Sequence, residues 1–180
     1  YISDTTGPVP VNRLSNIKGA TIYGLDLMAQ WKPVMVEALT LSAGIGILDT
    51  ELEAFDGPNG TVSKGNEQPD APDLTANLSA SYDFNLTESL PAQFAVDGRY
   101  QSDAFHDALN NPLLESGSYW VVNARLSAYL DDQWEFTAWG KNLADEEYVV
   151  QGSDQTSLGN GFRVYGPPRT YGVTITRHFD

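Results

Sequence analysis

Apolar and polar residues alternate along seven stretches of this chain. A period of two is the repeat of a β-strand, whose successive side chains point to opposite faces. The pattern predicts strands over residues 18–31, 38–48, 74–84, 92–102, 119–130, 134–143 and 169–179. In the last of these, Tyr171, Val173, Ile175 and Phe179 share one face, and Thr170, Gly172, Thr174, Thr176 and His178 share the other. In the first, Tyr23, Leu25, Leu27, Ala29 and Trp31 oppose Ile22, Gly24, Asp26, Met28 and Gln30. Neither face of the last strand is continuously apolar, which argues against burial on both sides.

The connections alternate between short (32–37, 87–91, 131–133) and long (49–73, 103–118, and the polar loop from 143). Bacterial outer-membrane barrels have this asymmetry, with strands of about 9–11 residues crossing the bilayer at a tilt. Aromatic residues gather at strand ends. Trp31, Phe84, Phe94, Trp134 and Phe179 lie beside short turns or the terminus; Tyr23, Tyr100, Tyr119, Trp120 and Tyr171 lie beside long loops. Two such rows match the aromatic girdles of a membrane barrel. A soluble β-sandwich or lipocalin-like barrel alternates too, but strand length, loop asymmetry and end-placed aromatics favour lipid. An odd number of strands could close into a barrel only with its first and last strands parallel, whereas bacterial single-chain barrels have even numbers. Left open, the sheet would expose unpaired edges that hydrocarbon does not tolerate. The sheet is therefore expected to be part of a larger barrel.

Composition narrows the classes. The 180 residues carry 19% charged and 11% aromatic side chains, 16 glycines and no cysteine, which excludes disulfide frameworks and thiolate metal sites. A formal charge of −14 argues against a nucleic-acid partner. No apolar run approaches the length of a transmembrane helix. The sequence opens at Tyr1 with no basic or apolar leader, so no signal peptide is expected in it, and residues 1–17 read as the tail of a loop.

The long loops 49–73, 103–118 and 143–163 hold 14 of the 24 acidic residues. Acidic loops can focus potential on cations; the plainer reading is a solvated surface, or bridging by divalent ions to lipopolysaccharide. Asp49, Glu51, Glu53 and Asp56 offer oxygens for Ca²⁺, though without EF-hand spacing. Asp26, Asp83, Asp97, Arg99, Asn123, Arg125, Glu135, Lys141 and His178 are expected to face the barrel interior. Catalysis has little support: Asp103, His106 and Asp107 are the one grouping on offer, and a loop histidine among acids reads as a surface residue. No enzyme activity, cofactor or metal is expected.

Two motifs then carry a resemblance. Asn142-Leu143-Ala144-Asp145-Glu146-Glu147-Tyr148 resembles the NL-x-D-x-x-Y signature of TonB-dependent outer-membrane receptors. Pro168-Arg169-Thr170-Tyr171-Gly172-Val173, with the alternating run to Phe179, is similar to their last strand; the family usually ends on the aromatic, whereas here Asp180 follows. Gly24-Leu25-Asp26-Leu27 is similar to a G-V-E-L that opens a late strand. Arg99-Tyr100-Gln101-Ser102-Asp103, with residues 107–110, resembles a Y-x-S-D…N region.

The resemblance implies an all-β antiparallel transmembrane barrel, with residues 1–180 forming the C-terminal seven strands of 22; the family's N-terminal plug and earlier strands are absent from this sequence. It implies energy-coupled uptake of a scarce ligand such as a ferric siderophore, a cobalamin or a glycan. The implied partners are outer-membrane lipid and lipopolysaccharide, an inner-membrane energising complex reached through the missing N-terminal part, and the barrel-assembly machinery. In the loops, Tyr119, Trp120, Tyr148, Phe162 and Tyr165 become candidate ligand contacts. Asn142, Leu143, Asp145, Tyr148, Pro168, Arg169, Tyr171, Gly172 and Phe179 become structural motif residues. A passive porin or structural barrel without a plug, and a soluble β-protein, are the other readings.

Overall fold

In the computed structural model, which describes residues 2–4, 11–13, 19–57, 60–155 and 160–179, the alternating stretches form one antiparallel sheet. Its strands are β1 (Ala20–Trp31), β2 (Leu39–Leu52), β3 (Leu74–Thr87), β4 (Leu90–Gln101), β5 (Tyr119–Leu130), β6 (Trp134–Lys141) and β7 (Thr170–Arg177). Spatial order follows chain order, each strand hydrogen-bonded to the next. Residues 1–17, read as loop, hold a short antiparallel pair, Ile2–Asp4 with Val11–Arg13; the rest of that segment, like Asp180, lies outside the described residues.

The strand ends differ from expectation at both ends of the sheet: β3 runs on to Thr87 and β4 begins at Leu90, inside the expected turn. β2 runs on to Leu52, with Thr21 opposite Glu51 and Ala20 opposite Leu52. Acidic residues are poor strand formers, but here they sit on an exposed face while Thr50 and Leu52 are buried on the other. β6 stops two residues early because Asn142 adopts φ +49°, which no strand accommodates.

Register sets the two faces. On one, Leu27, Ile45, Ala76, Tyr100 and Trp120 lie in a row across five strands, and Ala29, Ala43, Leu78, Gly98 and Val122 form the next row. This apolar face is uncovered: Leu25 is 54% exposed, Ile47 52% and Val173 72%. A soluble protein does not leave so broad an apolar band in water, whereas a barrel turns it to hydrocarbon.

The opposite face is polar and internally bonded. Gln93 donates to Asp83 at 2.8 Å, Asn123 to Asp97 at 2.7 Å, and Thr137 to Glu135 at 2.9 Å, with Ser127 2.7 Å from Thr137. Gly46 lies on this face, where a Cβ would meet Asp26 Oδ1 at 2.9 Å and Thr75 Oγ1 at 2.8 Å. Arg177 departs from the expected division. It stands opposite Trp134, on the same face as Ile175, and puts a cation on the mainly apolar side.

Candidate functional site: the loop rim

Three long connections leave the same end of the sheet, after β2, β4 and β6. Each builds local structure. The first contains the hairpin Phe55–Gly57 with Gly60–Val62. The second pairs Ala104–Phe105 with Glu115–Ser116 and holds a 3-10 turn, Pro112–Leu114, capped by the Asn111 side chain accepting from Leu113 N. The third contains the hairpin Val149–Gln155 with Asn160–Tyr165.

The first two are joined tightly. Leu52, Phe55 and Val62 form a small apolar cluster against Ala108 and Leu109. Asn66 Nδ2 donates to the Ala108 carbonyl at 2.9 Å. Asn110 uses both ends of its amide on Glu67, accepting from its N–H at 2.7 Å and donating to its carbonyl at 3.1 Å. The Asp70 N–H donates to the Phe105 carbonyl at 2.8 Å. The third connection docks on the second: Arg163 donates from Nε and Nη2 to the Leu113 carbonyl at 3.1 and 2.6 Å, and Gly152 packs against His106 and Leu114.

His106 sits where the three meet. Its side chain is 6% exposed, its Nδ1 lies 2.6 Å from Asp70 Oδ1, and its Nε2 is buried without a hydrogen-bond partner among the described residues. The surface reading of His106 is thereby corrected: the neighbouring loops cover it. Asp107 caps the Asn111 N–H at 2.9 Å. Glu67 is held above the usual carboxylate range, chiefly by burial and then by the charges of Asp73, Asp103 and Glu115.

The carboxylates proposed for Ca²⁺ do not converge. Asp49 and Glu51 belong to β2, Glu53 is 3.7 Å from Lys64, and Asp56 accepts from Thr61 at 2.9 Å. Among the described residues no three metal-ligating side chains form a group.

The candidate contact aromatics divide three ways. Tyr119 and Tyr148 are buried and stacked on one another, ring centroids 4.5 Å apart, with the Tyr119 hydroxyl donating to Gln101 at 3.0 Å. Tyr119 is thus on the polar face and not in the aromatic girdle. Trp120 lies on the apolar face, 5.0 Å from the Tyr100 ring. Phe162 and Tyr165 are exposed on the third hairpin, with Val150 and Val164.

The motif residues form the base of that hairpin. Asn142 is buried and spends its side chain on backbone: it accepts from Glu146 N at 2.9 Å and donates to the Glu146 and Pro167 carbonyls at 2.8 and 3.1 Å. Its own N–H donates to Asn123 Oδ1 at 3.0 Å. Leu143 N–H donates to the Val122 carbonyl at 2.8 Å. Asp145, at φ +56°, accepts from the Arg169 N–H at 2.9 Å and lies 3.4 Å from its guanidinium. Gly166 leaves room for the Tyr148 ring, which a Cβ would overlap, and Gly172 does the same for Trp139.

The interlocking of Asp70, His106, Asn66 and Asn110 was missed at the sequence level. These residues lie roughly forty apart in the chain; the one local hint is that Asp70 and Asn110 take the left-handed backbone that Asp and Asn tolerate.

Comparison with known proteins gives the same architecture. The TonB dependent receptor-like β-barrel family model matches residues 1–143. The ferric yersiniabactin uptake receptor FyuA from Yersinia pestis superposes with a TM-score of 0.74 at 18% identity, over 89% of this chain and 24% of its own. The siderophore receptor PiuA from Acinetobacter baumannii gives 0.67 at 18%, over 88% of this chain and 22% of its own. BauA, the ferric preacinetobactin receptor of Acinetobacter baumannii, gives 0.65 at 23%, over 88% and 22%. This chain therefore spans about a quarter of the length of the receptors it resembles. With its sheet, its uncovered apolar face and a family model over most of its length, the chain belongs to the TonB-dependent receptor-like β-barrel family of the Gram-negative outer membrane.

Proposed function

We propose that this chain is the C-terminal wall of an energy-coupled outer-membrane receptor whose ligand is a ferric siderophore. It supplies the last seven strands of a 22-stranded barrel, whose plug and earlier strands lie elsewhere in the protein. The observation that carries this reading is the loop rim: three long connections packed into one body above a lipid-facing wall. A passive pore needs only open loops, whereas a receptor needs a shaped vestibule. The solved neighbours that bind ferric yersiniabactin and ferric preacinetobactin support the ligand class.

Within the rim, Phe162 and Tyr165 are the aromatics placed to touch a ligand, while Tyr119 and Tyr148 stiffen the base beneath them. An energising inner-membrane complex acts through the plug-bearing part. Lipopolysaccharide surrounds the outer half of the wall, and the barrel-assembly machinery inserts it through β7.

The test is uptake of radiolabelled iron, presented with a panel of siderophores, in a receptor-deficient Gram-negative strain expressing the full-length protein. Uptake that stops when the proton gradient is collapsed, and that falls about tenfold in a Phe162→Ala, Tyr165→Ala double variant at unchanged outer-membrane abundance, is the expected result. Passage that survives collapse of the gradient identifies a passive pore instead. Gradient-dependent uptake unchanged in the double variant moves the ligand contacts off this hairpin.

A further inference from the structure

Arg177 is a cation on the lipid-facing side of the wall. It ends β7, opposite Trp134 and two residues beyond Ile175, beside the short turn Asp131–Gln133. Short turns mark the periplasmic side of an outer-membrane barrel, so Arg177 stands at the headgroup level of the inner leaflet. Its guanidinium carbon lies 5.2 Å from the Trp134 ring centroid and 4.7 Å from that of Phe179. The side chain makes no hydrogen bond or ion pair with any described residue.

Aromatic neighbours attract the guanidinium by cation–π interaction, displace water from it and restrict its rotamers. They do not use its N–H donors, which form a planar fork suited to two oxygens of one phosphate. Within the strand pair it belongs to, the side chains beside it on this face, Trp134, Phe136 and Ile175, are all apolar and offer no anion. A phosphate at the membrane surface does.

We infer that Arg177, held between Trp134 and Phe179, binds the phosphodiester of an inner-leaflet glycerophospholipid. The site is separate from the loop rim, at the opposite end of the sheet, and does not depend on which ligand the receptor carries. It needs only the membrane setting that family membership supplies.

The experiment is native mass spectrometry of the full-length receptor in detergent, titrated with dioleoylphosphatidylglycerol or with dioleoylglycerol, which has the same chains and no phosphate. Arg177→Gln is expected to weaken phosphatidylglycerol binding about tenfold and leave dioleoylglycerol unchanged. Arg177→Lys, which keeps the charge and loses the planar fork, is expected to fall between. Heat-modifiable gel mobility reports that each barrel is folded. If Arg177→Gln does not fold, Trp134→Leu, which removes one side of the clamp, is read in its place, with about a threefold loss expected. Phosphatidylglycerol binding within twofold of wild type in the folded variant read, or an equal loss for both lipids, overturns the inference.

Discussion

The side-chain amide of Asn142 donates to the carbonyl of Pro167 at 3.1 Å, joining the end of β6 to the approach to β7 across 25 residues. The same amide holds Glu146, and Asp145 beside it receives the Arg169 N–H. The two sequence motifs are thus halves of one corner. They set where the third loop leaves the wall and where the last strand begins.

Asn142→Ala should therefore cost about 2–4 kcal/mol, since it strands buried backbone donors and acceptors and places alanine at a positive φ. Asn142→Asp keeps the acceptor for Glu146 N and loses both donors, so it should not restore stability. Urea unfolding of the full-length barrel in detergent measures both. A loss under about 0.5 kcal/mol for Asn142→Ala would mean that the corner is held by Asp145 and Arg169 alone.

The junction of Asp70 and His106 makes a different prediction. Removing either partner leaves the first two loops joined by Asn66, Asn110 and the small apolar cluster, but without the charge-assisted contact at 2.6 Å. Asp70→Asn and His106→Ala should each lower the local opening free energy of the loops by about 1.5–3 kcal/mol. Hydrogen exchange of residues 103–116 should accelerate while β3 and β4 stay protected. Equal acceleration in the strands would make the contact part of global stability.

Glu67 sets a pH dependence whose sign follows from its environment. Its carboxyl is raised above 4.5 in the folded loops, so folding favours the protonated form. That contribution is fully present below the unfolded value and is lost as pH rises through the raised one. Loop protection should therefore weaken from acid towards neutral pH, and Glu67→Gln should remove this component and tighten the loops at pH 7. Hydrogen exchange across that range, compared between the two proteins, is the check; parallel profiles would assign the trend to other groups. The effect is modest because Glu67 is only partly buried.

Much of the wall was legible in the residues. Side-chain direction in a strand depends on parity alone, so Leu25, Leu27 and Ala29 had to share a face whatever the surroundings. The same parity put Asp83, Asp97 and Glu135 on the polar face. The expected aromatic row holds both Tyr119 and Trp120, although adjacent strand residues take opposite faces. The turn at Asp131–Gln133 and the full extent of β5 followed from local chemistry in the same way.

The rim was decided by tertiary structure. Whether β2 ends at Leu48 or Leu52 depends on β1 continuing beside it. The burial of His106 depends on loops that leave different strands and close over it. Alternation along a strand is a local geometric constraint and is written in consecutive residues. A contact between distant loops is a balance of closure entropy against a few hydrogen bonds and a small apolar cluster, and no short stretch of sequence contains both sides of that balance.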